Sequence, residues 1–395
     1  MVCVQVFTLL KIEQNDERIA TQHPETSGDA ITTAVGIITQ NTFSNNYYCY
    51  MKFEAITLKD IAKALNLSIS TVSKALRKSY EISAETQKLV ADFAEQHNYK
   101  PNPIAQGLRR GKSKSIGVIV TNIDNNFFSQ VINGIESVAH KKEYSVIISQ
   151  THESYEQEVL TVQNLSSRSI DGLVVSLCAE TFNVDHFKEV NSKGLPIVFF
   201  DRVTSEINTH RVSCNNFKGA YDATQHLIQQ GFRRIAHVTS SNSLSITLER
   251  LEGYLKALED NAIDFDENLI KYCTHGGMIY EEANIAVTEL LAMSDRPDAI
   301  FTASDRLSTT TLSILTKLKI KVPKEMGLVG FTNSVSADIF NPPLTAVVQP
   351  AFEIGQQATE MLIQLIEAKR PITKFEKKVL DAELVIRGSS IKPKK

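Results

Sequence analysis

The stretch LSISTVSKALRK, residues 67–78, is polar at its start, carries three cations towards its end, and spaces its few apolar residues like one face of a helix. Val72, Ala75 and Leu76 fall at i, i+3 and i+4 and turn inward, so Ser70, Ser73, Lys74 and Arg77 turn outward. Ser68 stands where a side-chain oxygen can accept from the free amides of this helix, and NLS at 66–68 reads as a tight polar turn before it. Upstream, Thr57 and Asp60 form a capping-box pattern, and Leu58, Ile61, Ala62 and Leu65 share one face of a first short helix. A third helix is expected from Ser83 to about His97, with Leu89, Val90, Phe93 and Ala94 as its apolar stripe. Two short helices joined by a turn, the second with short hydrogen-bonding groups and cations on its outer face, suit insertion into a DNA major groove. Lys74 can donate to guanine acceptors, while Arg77 and Lys78 can reach phosphates.

Charge supports this reading. Residues 51–115 hold 12 Lys and Arg against 6 Asp and Glu, whereas residues 1–50 hold 2 against 5 and residues 116–395 hold 28 against 34. The basic excess is confined to the segment with the helical pair, as expected of nucleic-acid binding. The five cysteines (Cys3, Cys49, Cys178, Cys214, Cys273) are scattered, lack C-x-x-C spacing, and read as reduced thiols. MVCVQVFTLL lacks the basic start and cleavage site of a secretory signal, and no apolar run reaches membrane-spanning length. A cytoplasmic protein with no membrane partner is expected. Residues 1–50 show no sustained period, and order sets in just after Met51, so 1–50 is read as a disordered leader or an artefact of start assignment, with Met51 as the true start.

After His97 the chain reads NYKPNPIAQGLRRGKSKS, residues 98–115. Its two prolines stop the third helix, and the room beyond Pro103 holds barely two helical turns, with Gly107 inside them. So short a helix does not hold alone in water and requires partners. GLRRGKS is not a phosphate-binding loop, because it has three residues between the glycines instead of four and precedes a strand.

From Ser115 onward short apolar runs alternate with amphipathic stretches. IGVIV, YSVIIS, DGLVVS, PIVFF, RRIAHV, DAIFTA and GLVGF are the strand candidates. Buried runs alternating with helices indicate parallel, doubly wound sheets, and seven or more strands over about 280 residues divide better into two sheets than one. Ligands in such sheets lie beyond the carboxyl ends of the strands. That rule selects Asn125, Asn126, Phe127 and Phe128 after the first strand, Asp201 and Arg202 after PIVFF, Asp305 after DAIFTA, and Thr332 and Asn333 after GLVGF. An aromatic ring among Asp, Asn and Arg groups suits a polyhydroxylated ligand. G-x-G-x-x-G, G-x-S-x-G and H-E-x-x-H are all missing, so no catalytic motif or metal-ligand spacing is read, and no cofactor is expected.

TLKDIAKALNLSISTVSKAL, followed by ISAETQKLVADFAEQHNYKPNPIAQGLRRGKSKSIGVIV, resembles the N-terminal part of the lac and galactose repressor (LacI/GalR) family of bacterial transcription factors, with T-V-S and N-Y-x-P-N as its densest motifs. The resemblance runs from about Thr57 to the C-terminus. It implies a small all-α helix-turn-helix DNA-binding domain (55–101), a hinge helix and linker (102–114), and an α/β periplasmic-binding-protein-like domain of two doubly wound lobes for ligand binding and dimerisation (115–395). It implies that Ile69, Ser70 and Lys74 read bases, within a DNA-contacting set of Thr57, Ser68, Ile69, Ser70, Thr71, Ser73, Lys74, Arg77, Asn102, Ala105, Leu108 and Arg109. Leu108 would be a wedge between base pairs and Arg109, Arg110 and Lys112 would lie near phosphates. Asn215 and Arg250 join the effector set, and Thr332 stands where many members carry an acid. The implied protein is a ligand-responsive regulator, no enzyme, that binds a palindromic operator as a dimer or a higher assembly and responds to a carbohydrate. A transport protein sharing the large fold is one competing class, against which the basic head and the missing export signal argue; an enzyme using carboxylates in the cleft is the other, and it has no catalytic constellation behind it.

Overall fold

A computed structural model describes residues 56–100 and 112–393, and the chain divides into two compact units, residues 1–100 and 101–395. The leader expected at 1–50 and the hinge residues Asn102, Ala105, Leu108 and Arg109 lie outside the described residues.

The first unit is three helices, α1 (Leu58–Ala64), α2 (Ile69–Leu76) and α3 (Ala84–Gln96). Each starts at a hydroxyl cap: Thr57 and Asp60 complete the reciprocal capping box, Ser68 accepts from Thr71 N at 3.0 Å, and Ser83 accepts from Thr86 N at 3.3 Å. Asn66, at φ 52°, makes the turn between α1 and α2. Ile61, Ala62, Val72, Ala75, Val90 and Ala94 form the core, with Leu76 and Phe93 at its margin. Leu89 departs from the expected stripe: it is 51% exposed, because one turn of α3 packs only Val90 against the other two helices.

The second unit holds two six-stranded sheets. Lobe 1 runs β1 (Ser115–Val120), α4 (Asn126–Lys141), β2 (Ser145–Gln150), α5 (Tyr155–Ser167), β3 (Gly172–Val175), α6 (Asp185–Ser192), β4 (Ile197–Phe200) and β5 (Arg211–Cys214). Lobe 2 follows with α7 (Asn216–Gln229), β6 (Ile235–Thr239), α8 (Ser245–Asp260), β7 (Ile270–Tyr272), α9 (Tyr280–Ala292), β8 (Ala299–Thr302), α10 (Asp305–Lys317), β9 (Gly327–Phe331) and β10 (Thr345–Val348). The chain then returns to lobe 1 as α11 (Ala351–Glu367) and β11 (Lys377–Leu380), and ends in lobe 2 as β12 (Glu383–Val385). Strand orders are β11-β5-β4-β3-β1-β2 and β12-β10-β9-β8-β6-β7, parallel except for the β10–β12 pair. The chain therefore passes between the lobes three times.

Each sheet buries apolar clusters on both faces, as the continuous runs of β1, β3, β4, β8 and β9 require. The seven strand candidates are all present, and five more join them among the described residues. The helices on one face of lobe 1 approach backbone to backbone, since Gly134 of α4 faces the Phe352 carbonyl and Gly355 of α11 faces the Val131 carbonyl. Gly253 of α8 meets the Phe217 carbonyl of α7 in the same way. Among the described residues, no helix is long and apolar enough to cross a membrane.

Candidate DNA interface and ligand cleft

On α2, Val72 and Ala75 are buried while Ile69, Ser70 and Arg77 are exposed and Ser73 and Lys74 half-exposed. The face opposite the core is therefore the one read from the sequence. Its polar groups are held by local bonds: Ser68 Oγ lies 2.7 Å from Ser70 Oγ and 2.8 Å from Thr71 Oγ1, and Arg77 Nε donates to Ser73 O at 2.8 Å. Lys74 is ion-paired with Glu81. Thr57, exposed, is engaged in its capping box.

In the second unit a cleft opens between the carboxyl ends of the two sheets. It holds about 630 Å³, counting the space at its open mouth. Asn125, Phe127, Phe128, Asp201, Arg202, Arg250 and Asp305 line it, as the strand-end rule and the family resemblance expected. Asn126 and Thr332 stand one layer behind: Asn126 Nδ2 donates to Asp305 Oδ2 at 3.3 Å, and the Thr332 hydroxyl bonds the other oxygen of Asp305. Asn333 bonds Gln130 of α4 at 3.0 Å and the Gln349 carbonyl at 2.8 Å. Asn215 is a correction. It is the cap of α7, accepting from Lys218 N, and its amide donates to Asp381 at 2.9 Å on the surface, because β5 hands the chain to lobe 2 there instead of turning into the cleft.

The electrostatics of the lining are closely balanced. Arg202 Nη1 donates to Glu153 Oε2 at 2.6 Å, and the same oxygen accepts from Ala179 N at 2.7 Å. Burial alone would raise the Glu153 carboxyl, but the Arg202 guanidinium and these bonds hold it below the usual range. Arg306 pairs with Asp124 at 2.5 Å. Arg250, buried, donates through Nε to Asn216 Oδ1 at 2.9 Å and through Nη1 to Ala303 O at 2.6 Å, and its guanidinium lies 3.9 Å over the Phe331 ring. Asp201, also buried, is raised by desolvation despite the opposing pull of Arg202 and Arg250. His152, Glu153 and Asp201 all take the left-handed backbone region, with φ of 51°, 66° and 56°. Non-glycine residues seldom occupy it, and such strain gathers at ligand sites.

Glu153, His275, Met278, Arg306, Phe331 and Gln349 also line the cleft and were not selected from the sequence. Phe331 and Gln349 end or follow β9 and β10, so the strand-end rule could have found them; Glu153, His275 and Met278 sit in loops without any period. Among the described residues, no group of His, Cys, Asp or Glu could hold a metal ion.

A groove-sized helix pair and a two-lobed cleft on one chain define a DNA-binding regulator with a small-molecule receptor core. Residues 57–102 match the model for bacterial regulatory proteins of the lacI family, and residues 224–390 match the periplasmic binding protein-like domain. The transcriptional repressor CytR of Escherichia coli K12 is 30% identical over 336 residues, covering 85% of this chain and 96% of CytR. A LacI-family regulator of Enterococcus faecium with bound ribose is 26% identical, covers 71% of this chain and 100% of its own, and has a TM-score of 0.63. The lac repressor dimer bound to operator shares the fold, at 24% identity and a TM-score of 0.72 over 86% of this chain and 100% of its own. The chain belongs to the LacI family: it is a transcriptional regulator, and its relatives are repressors, not enzymes.

Proposed function

We propose that the protein is a cytoplasmic repressor that binds a near-palindromic operator as a homodimer, or as a tetramer of paired dimers, and that a small uncharged polyhydroxylated molecule in the cleft sets its affinity for DNA. In this reading Ile69, Ser70 and Lys74 meet base edges, Thr57, Ser68, Thr71, Ser73 and Arg77 meet or orient the backbone, and Asn102, Ala105, Leu108 and Arg109 act in the minor groove. The observation that carries the ligand class is charge matching. Two of the three guanidinium groups in the cleft are ion-paired, Arg202 with Glu153 and Arg306 with Asp124, and the third, Arg250, is buried and already donates to Asn216 Oδ1 and the Ala303 carbonyl. A phosphorylated or carboxylated ligand would find two of these cations neutralised and the third engaged, whereas hydroxyls can share the edges of these groups and a sugar face can lie on Phe127. Bound ribose in the Enterococcus faecium relative supports the same class.

Thermal melting with pentoses, hexoses, nucleosides and the corresponding phosphates tests this. A selective ligand at a hundred times its Kd stabilises the folded state by about 2.7 kcal/mol. The expected outcome is a higher Tm with an uncharged compound and none with its phosphate. A gel shift with genomic fragments supplies the DNA half, in which Lys74→Ala should lose specific retardation; unchanged affinity would remove Lys74 from the base-reading set.

A further inference from the structure

All the strands of the lobe 1 sheet are parallel, so their amino ends share one face, opposite the cleft. At that face the chain enters the core, with the Asp171 carboxylate accepting from Ser113 N at 2.7 Å and from Lys114 N at 2.9 Å. The end of α11 and the approach to β11 lie there too, as the bond from Lys112 Nζ to Ile366 O and the Lys114–Glu367 pair require. The connecting segment EAKRPITKFEKK, residues 367–378, carries Lys369, Arg370, Lys374, Lys377 and Lys378 against Glu367 and Glu376.

These cations differ in what they do. Lys112 and Lys114 are occupied at the carboxyl end of α11, where a positive charge offsets the helix dipole, and Lys378 donates to Gln357 at 2.7 Å. Lys369, Arg370, Lys374 and Lys377 are exposed and form no ion pair with any described residue. Beside them Asn208, Thr209, Arg211, Thr373, Glu376 and Lys377 surround an open hollow of about 650 Å³. Arg211 of its lining donates through Nη2 to the Ile207 carbonyl at 3.2 Å, and its Nε is buried.

We propose that this face of lobe 1 is a second, sequence-independent DNA contact, in which Lys369, Arg370, Lys374 and Lys377 meet phosphates of the duplex flanking the operator. Covalent reach supports this choice of partner. Leu108 and Ser113 are five residues apart, at most roughly 18 Å of chain, so a duplex held through the linker is tethered close to this face. Unpaired cations on an exposed turn are suited to phosphates, which need charge and not a fixed register. The proposal rests on the chain being a DNA-binding regulator and adds to it a contact made by the core.

The test uses the full chain and a random-sequence 40-base-pair duplex, with binding followed by fluorescence anisotropy over a series of salt concentrations. Each phosphate contact contributes about 0.9 to the slope of log K against log salt. Lys369→Gln/Arg370→Gln/Lys374→Gln should reduce that slope by about one to three per protomer. The control Lys319→Gln/Lys321→Gln/Lys324→Gln removes the same charge from exposed positions between α10 and β9 of lobe 2, and should leave the slope within 0.5 of wild type. Equal slopes for both triple variants, with wild-type melting curves, overturn the proposal and leave the regulator intact. No DNA binding by the wild-type chain would sink both.

Discussion

His237 occupies the middle of β6, fully buried, with its ring stacked between Tyr254 and Phe301 at centroid distances of 5.1 and 4.8 Å. Its Nδ1–H donates to the Phe301 carbonyl at 3.3 Å, and Nε2 has no partner. Desolvation pushes its pKa down to about 3, and the nearby Arg250 charge adds to the effect. An unfolded histidine titrates near 6.5, so between about 6.5 and 3 the unfolded chain binds one more proton than the folded one. The contribution of neutral His237 is complete above pH 6.5 and falls away on acidification, by about 1.4 kcal/mol per pH unit. His237→Phe keeps a ring in the stack and should flatten urea-derived stability between pH 6.5 and 5 by about that slope. Parallel curves for variant and wild type would show that another group carries the acid sensitivity.

The crossing of α4 and α11 depends on glycine where the two helices touch. A Cβ at Gly355 would press on the Val131 carbonyl, and backbone on backbone leaves no side chain to move aside. Gly355→Ala should therefore destabilise the core by about 1–3 kcal/mol, read as a lower urea midpoint, although alanine is the better helix former. The elements legible in the sequence were those with a full-length signal. The capping oxygens of Thr57, Ser68 and Ser83 and the apolar runs of β1, β3, β4, β8 and β9 mark their positions directly. The strands without such a signal, β5 (RVSC), β7 (IKY), β10 (TAVV), β11 (KKVL) and β12 (ELV), have three or four residues, and three of them lie at sheet edges where polar side chains face water. Leu89 lies outside the three-helix core and Asn215 outside the cleft lining. Helical period does not reveal that Val90 but not Leu89 meets the other two helices, and the family resemblance, which supplied Asn215, does not say that β5 hands the chain to lobe 2 there.

Across the whole second unit, the lobes are drawn together by a few polar ties: Asn126 to Asp305, Asp124 to Arg306 at 2.5 Å, and Gln130 to Asn333. None was visible in the sequence, because each joins residues about 180 to 200 positions apart. Asp124 and Arg306 are partly exposed, so the pair contributes at most about 1 kcal/mol. Removing a few such ties shifts the balance between closed and open lobes instead of unfolding either one. Arg306→Ala with Asn126→Ala should raise the open-to-closed ratio by up to about tenfold at unchanged Tm, read as a longer mean distance between dyes on α5 and α9. An unaltered distance distribution would mean that the three crossovers, not these ties, hold the lobes in place.

Those crossovers also impose a schedule on synthesis. One of the two edge strands of each sheet, β11 in lobe 1 and β12 in lobe 2, is the last strand of its sheet to be made. Neither lobe can complete its sheet until that strand has left the exit tunnel, after everything before it has emerged. The three-helix head, complete by residue 100, has no such wait, so every newborn molecule passes through an interval in which the reader of DNA has folded and its controlling body has not.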